Sequence, residues 1–383
     1  HPNLLLCHHV AQVKEAIEGI WSWHSRDLIS EKVKWLSSML AGLHDSGKAA
    51  AAFQEYINNP SSFTGDRLDK AHTPLSLVLS LMCARDKGWD PLDSLLIALS
   101  VYGHHGGLPG LPSNKFGEDQ GPSRTLDDFA SGPIAKALKR QAPVLDLTLL
   151  KKETGVDFPR DNITEKDIRD LERFLECEIM DAFYQMNLKD ALHFRLEVQL
   201  LFSILLEADR TFLAVPNARD LLKRRPRPWK SEWVEHRIGK CPEGHVNSIR
   251  SRARAQVIKN TLNDEKSKIY TITAPTGIGK TLLGATWALM KRESLEKELG
   301  FPPKIIVVMP FLSIIDQTAR EYKALLESGG IEADGSWFLT SHSLSERRYS
   351  PDLEESAEYF FIDTWRTELV ITTYDQFLLS LLD

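Results

Sequence analysis

His44 and Asp45 are adjacent residues of metal-ligand type, and Lys48 follows them in the run His-Asp-Ser-Gly-Lys. His9, His72, His104, His105 and Asp209 are further imidazoles and carboxylates of the same kind. Their placement makes them a candidate set. The apolar spacing of Val33, Leu36, Met39, Leu40 and Leu43 predicts a helix over 31–43, so His44-Asp45 stands at its end. His104-His105 follows a second apolar helix predicted over 92–102, just ahead of Gly106-Gly107. Asp209 lies toward the end of a leucine-rich helix predicted over 194–213. Ligands carried at the ends of several buried helices can converge on one pocket. Imidazole mixed with carboxylate suits Mn, Fe, Co, Ni or Zn better than Mg, which prefers oxygen alone. Two adjacent ions could clamp a phosphate during in-line attack, with Lys48 neutralising its charge.

A second chemistry sits far along the chain. Ala274-Pro275-Thr276-Gly277-Ile278-Gly279-Lys280-Thr281 reads as a phosphate-binding loop between a predicted strand over 269–273 and a predicted helix over 281–291. Gly277 and Gly279 let backbone N–H groups turn toward a nucleotide. Lys280 would reach the β and γ phosphates, and the Thr281 hydroxyl would hold Mg²⁺. Thr276 belongs to the same loop. Ala274 replaces the leading glycine of the general pattern, a form that resembles superfamily 2 helicases. Gln256, upstream, reads equally as an adenine contact and as a surface helix residue. Thr372-Thr373-Tyr374-Asp375-Gln376 follows a predicted strand and would bring hydroxyls and N–H groups to a phosphate backbone.

Those motifs need two kinds of scaffold. Residues 1–215 read as all-α: predicted helices also cover 165–184, and long β-branched alternations are missing there. Residues 106–123, rich in Gly and Pro, read as a loop. Residues 216–246 hold several prolines among cations, with six cations against one acid from Arg219 to Lys230. That stretch reads equally as a solvated linker and as a track for phosphates. Residues 247–383 alternate strand and helix: a buried parallel-type strand over 304–309, a helix over 313–326 and a strand over 369–372. A chain of 383 residues with net charge -6 has room for two or three domains and carries no global nucleic-acid signature. Four scattered cysteines exclude a disulfide framework, and no apolar run reaches the about 18 residues of a membrane span. No signal peptide is visible, and a cytoplasmic monomer is expected.

His-Asp-Ser-Gly-Lys at 44–48, Tyr-Gly-His-His-Gly at 102–106, Glu-Ala-Asp-Arg at 207–210, the phosphate loop at 274–281, Met-Pro-Phe at 309–311 and Thr-Thr-Tyr-Asp-Gln at 372–376 stand in one order. Together they resemble the signature nuclease–helicase of type I CRISPR interference. The resemblance implies an HD-type metal-dependent domain over 1–215, a basic linker over 216–246 and a first RecA-like helicase lobe over 247–383. It implies a nuclease of single-stranded DNA, acting as endo- and exonuclease, with catalytic His44, Asp45, Lys48 and Asp209. Two ions of Mn, Fe, Co or Ni would be held, one nearest His9, His44, Asp45 and Asp209, the other nearest His72, His104 and His105. His9 is preferred to His8 because Val10 and Val13 fit the family's pattern for that helix. ATP with Mg would drive 3′ to 5′ unwinding, and a crRNA-guided surveillance complex would recruit the protein. The family's acidic Asp-Glu motif does not occur before Asp383, so the lobe reads as truncated ahead of it. The alternative is an HD-type phosphohydrolase of nucleotides or cyclic nucleotides.

Overall fold

A computed structural model describes residues 4–22, 30–112, 124–215, 218–219, 226–239, 242–264, 267–342 and 355–382. Residues 113–123 of the predicted loop, 220–225 of the basic run, and Cys241 lie outside them. The chain divides into two compact units that part between Leu213 and Ala214. Among the described residues, no helix is long and apolar enough to cross a membrane.

The first unit is all-α, as its sequence predicts. Helix α1 (Leu6–Trp21) buries Val10, Val13, Ala16, Ile17 and Ile20, one stripe at helical spacing. Helix α2 (Glu31–Leu43) starts where the Ser30 hydroxyl accepts the N–H of Val33 at 3.2 Å. It closes at His44 and passes into a 3₁₀ turn, Ser46–Ala49, and then α3 (Ala51–Asn58). Helices α4 (Thr73–Lys87) and α5 (Pro91–Gly103) bury nearly every side chain from Pro74 to Ala84 and from Ser94 to Gly103. They form the centre of the unit. Asp90 caps α5 by accepting the N–H groups of Leu92 and Asp93, with Pro91 following it. Around the centre stand α6 (Gly132–Gln141), α7 (Leu147–Thr154), α8 (Glu165–Phe174), a π turn (Leu175–Ile179), α9 (Met180–Tyr184) and α10 (Leu188–Ala214). The helix predicted over 165–184 is therefore continuous but locally widened into a π turn.

The second unit is α/β. Its elements are α11 (Glu232–Ile238), α12 (His245–Asn263), α13 (Lys280–Leu299), β1 (Ile305–Met309), α14 (Leu312–Ser328), β2 (Phe338–Ser341), α15 (Glu355–Asp363), β3 (Leu369–Thr373) and α16 (Tyr374–Leu382). The three strands are parallel in the order β1-β3-β2, with Ile305 and Phe338 both opposite Leu369. Strand β3 is central and buried, whereas β1 alternates, leaving Ile306 and Val308 exposed. The sequence reading of β1 as a buried strand is corrected there: the face that carries Ile306 and Val308 is open, and the one that carries Ile305, Val307 and Met309 is partly covered. The strand predicted over 269–273 is also corrected: these residues carry no strand pairing, and Ile269 is 86% exposed. β-Branched and aromatic residues favour an extended backbone, but a strand also needs a neighbour for its N–H and C=O groups.

The stretch read as a basic linker supplies core. Trp229, Trp233 and Val234 are buried with Trp337, Tyr322, Leu289 and Leu369. The Trp229 indole N–H donates to the Trp337 carbonyl at 3.1 Å, and Arg292 and Glu368 form a buried ion pair beside it.

Candidate metal centre and phosphate loop

Every metal-ligand candidate of the first unit reaches one place. His9 sits in the first turn of α1, His44 and Asp45 at the end of α2, His72 at the start of α4, His104 and His105 at the end of α5, and Asp209 near the end of α10. Two overlapping groups result, His9-His44-Asp45-Asp209 and Asp45-His72-His104-His105, with one donor atom per residue within 4.8 Å of every other in its group.

Asp45 is the common member, and it is fully buried. Its Oδ2 lies 3.0 Å from His9 Nε2 and 3.4 Å from His44 Nε2. Its Oδ1 lies 3.1 Å from His72 Nε2 and 3.4 Å from His104 Nε2. Asp209 Oδ1 completes the first group at 3.0 Å from His9 Nε2 and 3.7 Å from His44 Nε2. The rings are preset. His44 Nδ1 lies 3.1 Å from the Ala41 carbonyl and His104 Nδ1 lies 2.7 Å from the Val101 carbonyl. Each helix's last turn thus claims the Nδ1–H, which leaves Nε2 to face the cluster.

The donor set fits divalent cations. Asp45 Oδ1, His72 Nε2 and His104 Nε2 are buried without a hydrogen-bond partner, an arrangement that costs free energy unless something binds there. Mixed imidazole and carboxylate is transition-metal chemistry. Lys48 Nζ contacts Asp45 Oδ2 at 2.5 Å, so a cation holds the carboxylate's orientation.

The electrostatics of the two groups differ. Burial opposes a proton on His44, but Asp45 and Asp209 override it and push its pKa up to about 10. His9 moves up in the same way, against burial, through Asp209 and Asp45. Burial raises Asp45, yet the surrounding imidazoles, His44 foremost, hold it well below the usual carboxylate range. In the other group burial prevails: His72 is lowered, and His105 is lowered by partial burial and by the imidazoles of His104 and His72.

Gly47 explains part of the His-Asp-Ser-Gly-Lys run. A Cβ there would stand 2.1 Å from the His72 carbonyl oxygen. The Gly47 N–H donates to Ser76 Oγ at 2.8 Å, tying the turn after Asp45 to the helix that starts at His72. On the other side, Arg124 donates to the Tyr102 carbonyl at 2.9 Å and lies 4.2 Å over the Tyr102 ring, bracing the turn that carries His104 and His105.

The phosphate loop leads into α13 at Lys280. Gly277 and Gly279 have φ of 81° and 90°, a left-handed backbone that glycine adopts freely. Thr276, Gly277 and Lys280 are exposed. Lys280 Nζ donates to the Ala274 carbonyl at 2.9 Å. Gln256 is exposed on α12 and donates to Asn260 Oδ1 at 2.7 Å, so its amide serves its own helix. Arg250 from that helix reaches the loop instead, donating to the Gly277 carbonyl from Nε at 3.1 Å and Nη2 at 2.7 Å. The two threonines that end β3 make internal hydrogen bonds. Thr372 is buried and donates to the Ser341 carbonyl at 2.7 Å, and the Thr373 hydroxyl accepts the Gln376 N–H at 3.1 Å.

Residues 2–167 match the family described as Cas3, HD domain. Residues 247–381 match the family described as Type III restriction enzyme, res subunit. The chain carries a Cas3 HD domain followed by a helicase-family lobe. It is 25% identical over 374 residues to the CRISPR-associated nuclease/helicase Cas3 of Haloferax volcanii, an alignment covering 89% of this chain and 39% of that protein. The chain therefore spans about two-fifths of the length of that curated relative. The Cas3 HD match includes all the clustered ligands except Asp209, which α10 brings in from beyond residue 167. A Cas3 HD domain coupled to a helicase-family lobe does not favour the reading as a phosphohydrolase of free nucleotides.

Proposed function

We propose that this chain is the nuclease domain and first helicase lobe of a type I CRISPR interference effector, and that its HD cluster cuts single-stranded DNA. The division of the two Asp45 oxygens between two ligand groups carries the reading. His9, His44, Asp45 and Asp209 would hold one ion of Mn, Fe, Co or Ni, and Asp45, His72, His104 and His105 a second. When bound, such a pair supplies Lewis acidity and charge stabilisation to the attacking and leaving oxygens of a phosphodiester. The chain's own residues do the remaining work. His44 and His104, each locked by a backbone carbonyl, present fixed Nε2 donors. Asp45 joins the two groups and Lys48 holds it, adding a positive charge for the substrate's phosphate. Burial of Asp45, His44 and His104 lowers the local dielectric, so these charges act strongly on one another.

In the whole protein we infer ATP with Mg²⁺ at Gly277, Gly279, Lys280 and Thr281, driving 3′ to 5′ unwinding, and recruitment by a crRNA-guided surveillance complex. Incubation of the chain with single-stranded DNA and Mn²⁺ or Ni²⁺, without ATP, is expected to give cleavage that His44→Ala abolishes. Intact DNA with the wild-type protein, or equal cleavage by His44→Ala, refutes the nuclease reading.

A further inference from the structure

Helix α3 directly follows the turn that carries Lys48, and it buries none of its residues. It nevertheless displays two aromatic rings, Phe53 and Tyr56, one helical turn apart and so on the same side. Both are half-buried, as is Phe63 in the loop beyond. The rings form a row starting at the metal cluster. His72, 3.1 Å from Asp45, meets the Phe53 ring edge-on at a centroid distance of 5.2 Å. Tyr56 meets Phe63 in the same manner at 5.7 Å. Two cations flank the row. Lys48 Nζ lies 6.0 Å from the Phe53 centroid, and Lys70 Nζ lies 3.8 Å from the Tyr56 centroid and 5.9 Å from that of Phe63. Asp69, the acid next to Lys70, is engaged by Arg140 Nε at 3.1 Å.

Half-exposed aromatic rings interleaved with lysines are the elements of a sequence-tolerant single-strand site: rings stack on base faces while cations follow the phosphates. A fold-stabilising cluster would bury these rings, as the second unit buries Trp229, Trp233 and Trp337. We propose that Phe53, Tyr56 and Phe63, with Lys48 and Lys70, form a stacking track that holds a single strand of DNA by its bases beside the metal cluster. The proposal rests on the nuclease reading for its purpose, but its test does not need cleavage.

The test is binding in EDTA, read by fluorescence anisotropy, to a labelled DNA strand of about 15 nucleotides and to an abasic deoxyribose-phosphate strand of equal length. The wild-type chain is expected to prefer the strand with bases by at least ~tenfold, since stacking requires a base face. Tyr56→Leu keeps apolar packing but removes the ring, and is expected to reduce that preference severalfold. Lys70→Met is expected to weaken both strands alike and to lower the salt slope by about one. Equal wild-type binding to the two strands overturns the proposal, whether or not the variants fold. So does an unchanged preference in Tyr56→Leu with wild-type circular dichroism. A strand that is bound with the expected preference but left intact with Mn²⁺ would refute the nuclease reading and leave the track standing.

Discussion

His44 and Lys280 stand at opposite extremes of solvent access. His44 is fully buried, its ring oriented by the Ala41 carbonyl and its Nε2 aimed at two carboxylates. Lys280 is exposed and donates to a carbonyl of its own loop. The metal cluster is organised by the core: the helices that carry its ligands are held by burial of apolar stripes, so the donors converge as a by-product of folding. The phosphate loop is exposed, and the hydrogen bonds to its carbonyls among the described residues include those from Lys280 and Arg250. Preorganisation of the first kind costs stability, because bare donors and charges are buried. The second kind leaves ordering to the ligand, which lowers apparent affinity.

The contrast can be broken most sharply at Asp45. Asp45→Asn removes a carboxylate shared by both ligand groups, and Mn²⁺ affinity should fall by more than the roughly 100-fold that loss of a merely supporting residue costs. Elemental analysis after dialysis checks this, and near-stoichiometric metal in the variant would show that the groups do not depend on Asp45. Next comes Gly47→Ala. Its Cβ has no room against the His72 carbonyl, so about 1–3 kcal/mol of stability should be lost, with metal content falling as His72 shifts. Thermal denaturation of the metal-free protein measures the first effect. A melting temperature equal to wild type would mean the turn yields easily.

Proton linkage separates the two ligand groups. His44 is raised from 6.5 to about 10, so the metal-free cluster keeps that proton at neutral pH. The stability its ion pairs contribute is fully present below about 6.5 and is lost as pH climbs through about 10. A metal ion must displace this proton. Mn²⁺ affinity at His9-His44-Asp45-Asp209 should therefore rise with pH across that interval, by up to ~tenfold per unit for each proton displaced. His72, lowered by burial, is already neutral there, so its group should show less dependence. Calorimetric titrations in buffers of different ionisation enthalpy count the protons released, and a count of zero for both ions would contradict the assignment. The smallest effect belongs to the exposed loop. Arg250→Met removes two hydrogen bonds to Gly277 and should weaken binding of a fluorescent ATP analogue by about fivefold, close to 1 kcal/mol. An unchanged dissociation constant would leave the loop's shape to its glycines alone.

Elements whose signal is local were legible in the chain. The helix over 31–43 ends where its apolar stripe ends, and the ligand doublet at its close follows from that. The convergence of His9, His72 and Asp209 on Asp45 was expected from residue type and order, and the structure brings them together. Relations between distant segments were harder to read. Residues 269–273 are β-branched and aromatic like a strand, but pairing is a property of two segments. Trp229 and Trp233 lay among prolines and cations, and that composition masked their burial. Gln256 and Arg250 lie on the same helix, and only the backbone path decides which of them reaches the loop. The Phe53–Tyr56 spacing after the Lys48 turn was a readable signal that the sequence reading passed over.

One carboxylate with an oxygen for each ligand group has a thermodynamic consequence. Any change that an ion at one group would make to the charge, protonation or orientation of Asp45 would be felt by an ion at the other, equally in both directions. Two ions held there would have no independent affinities, and titration would give a pair of stepwise constants belonging to the cluster as a whole. Whether a half-filled protein would accumulate or be skipped depends on a single coupling free energy set at Asp45, so metal uptake would be either graded or threshold-like in the free concentration of metal.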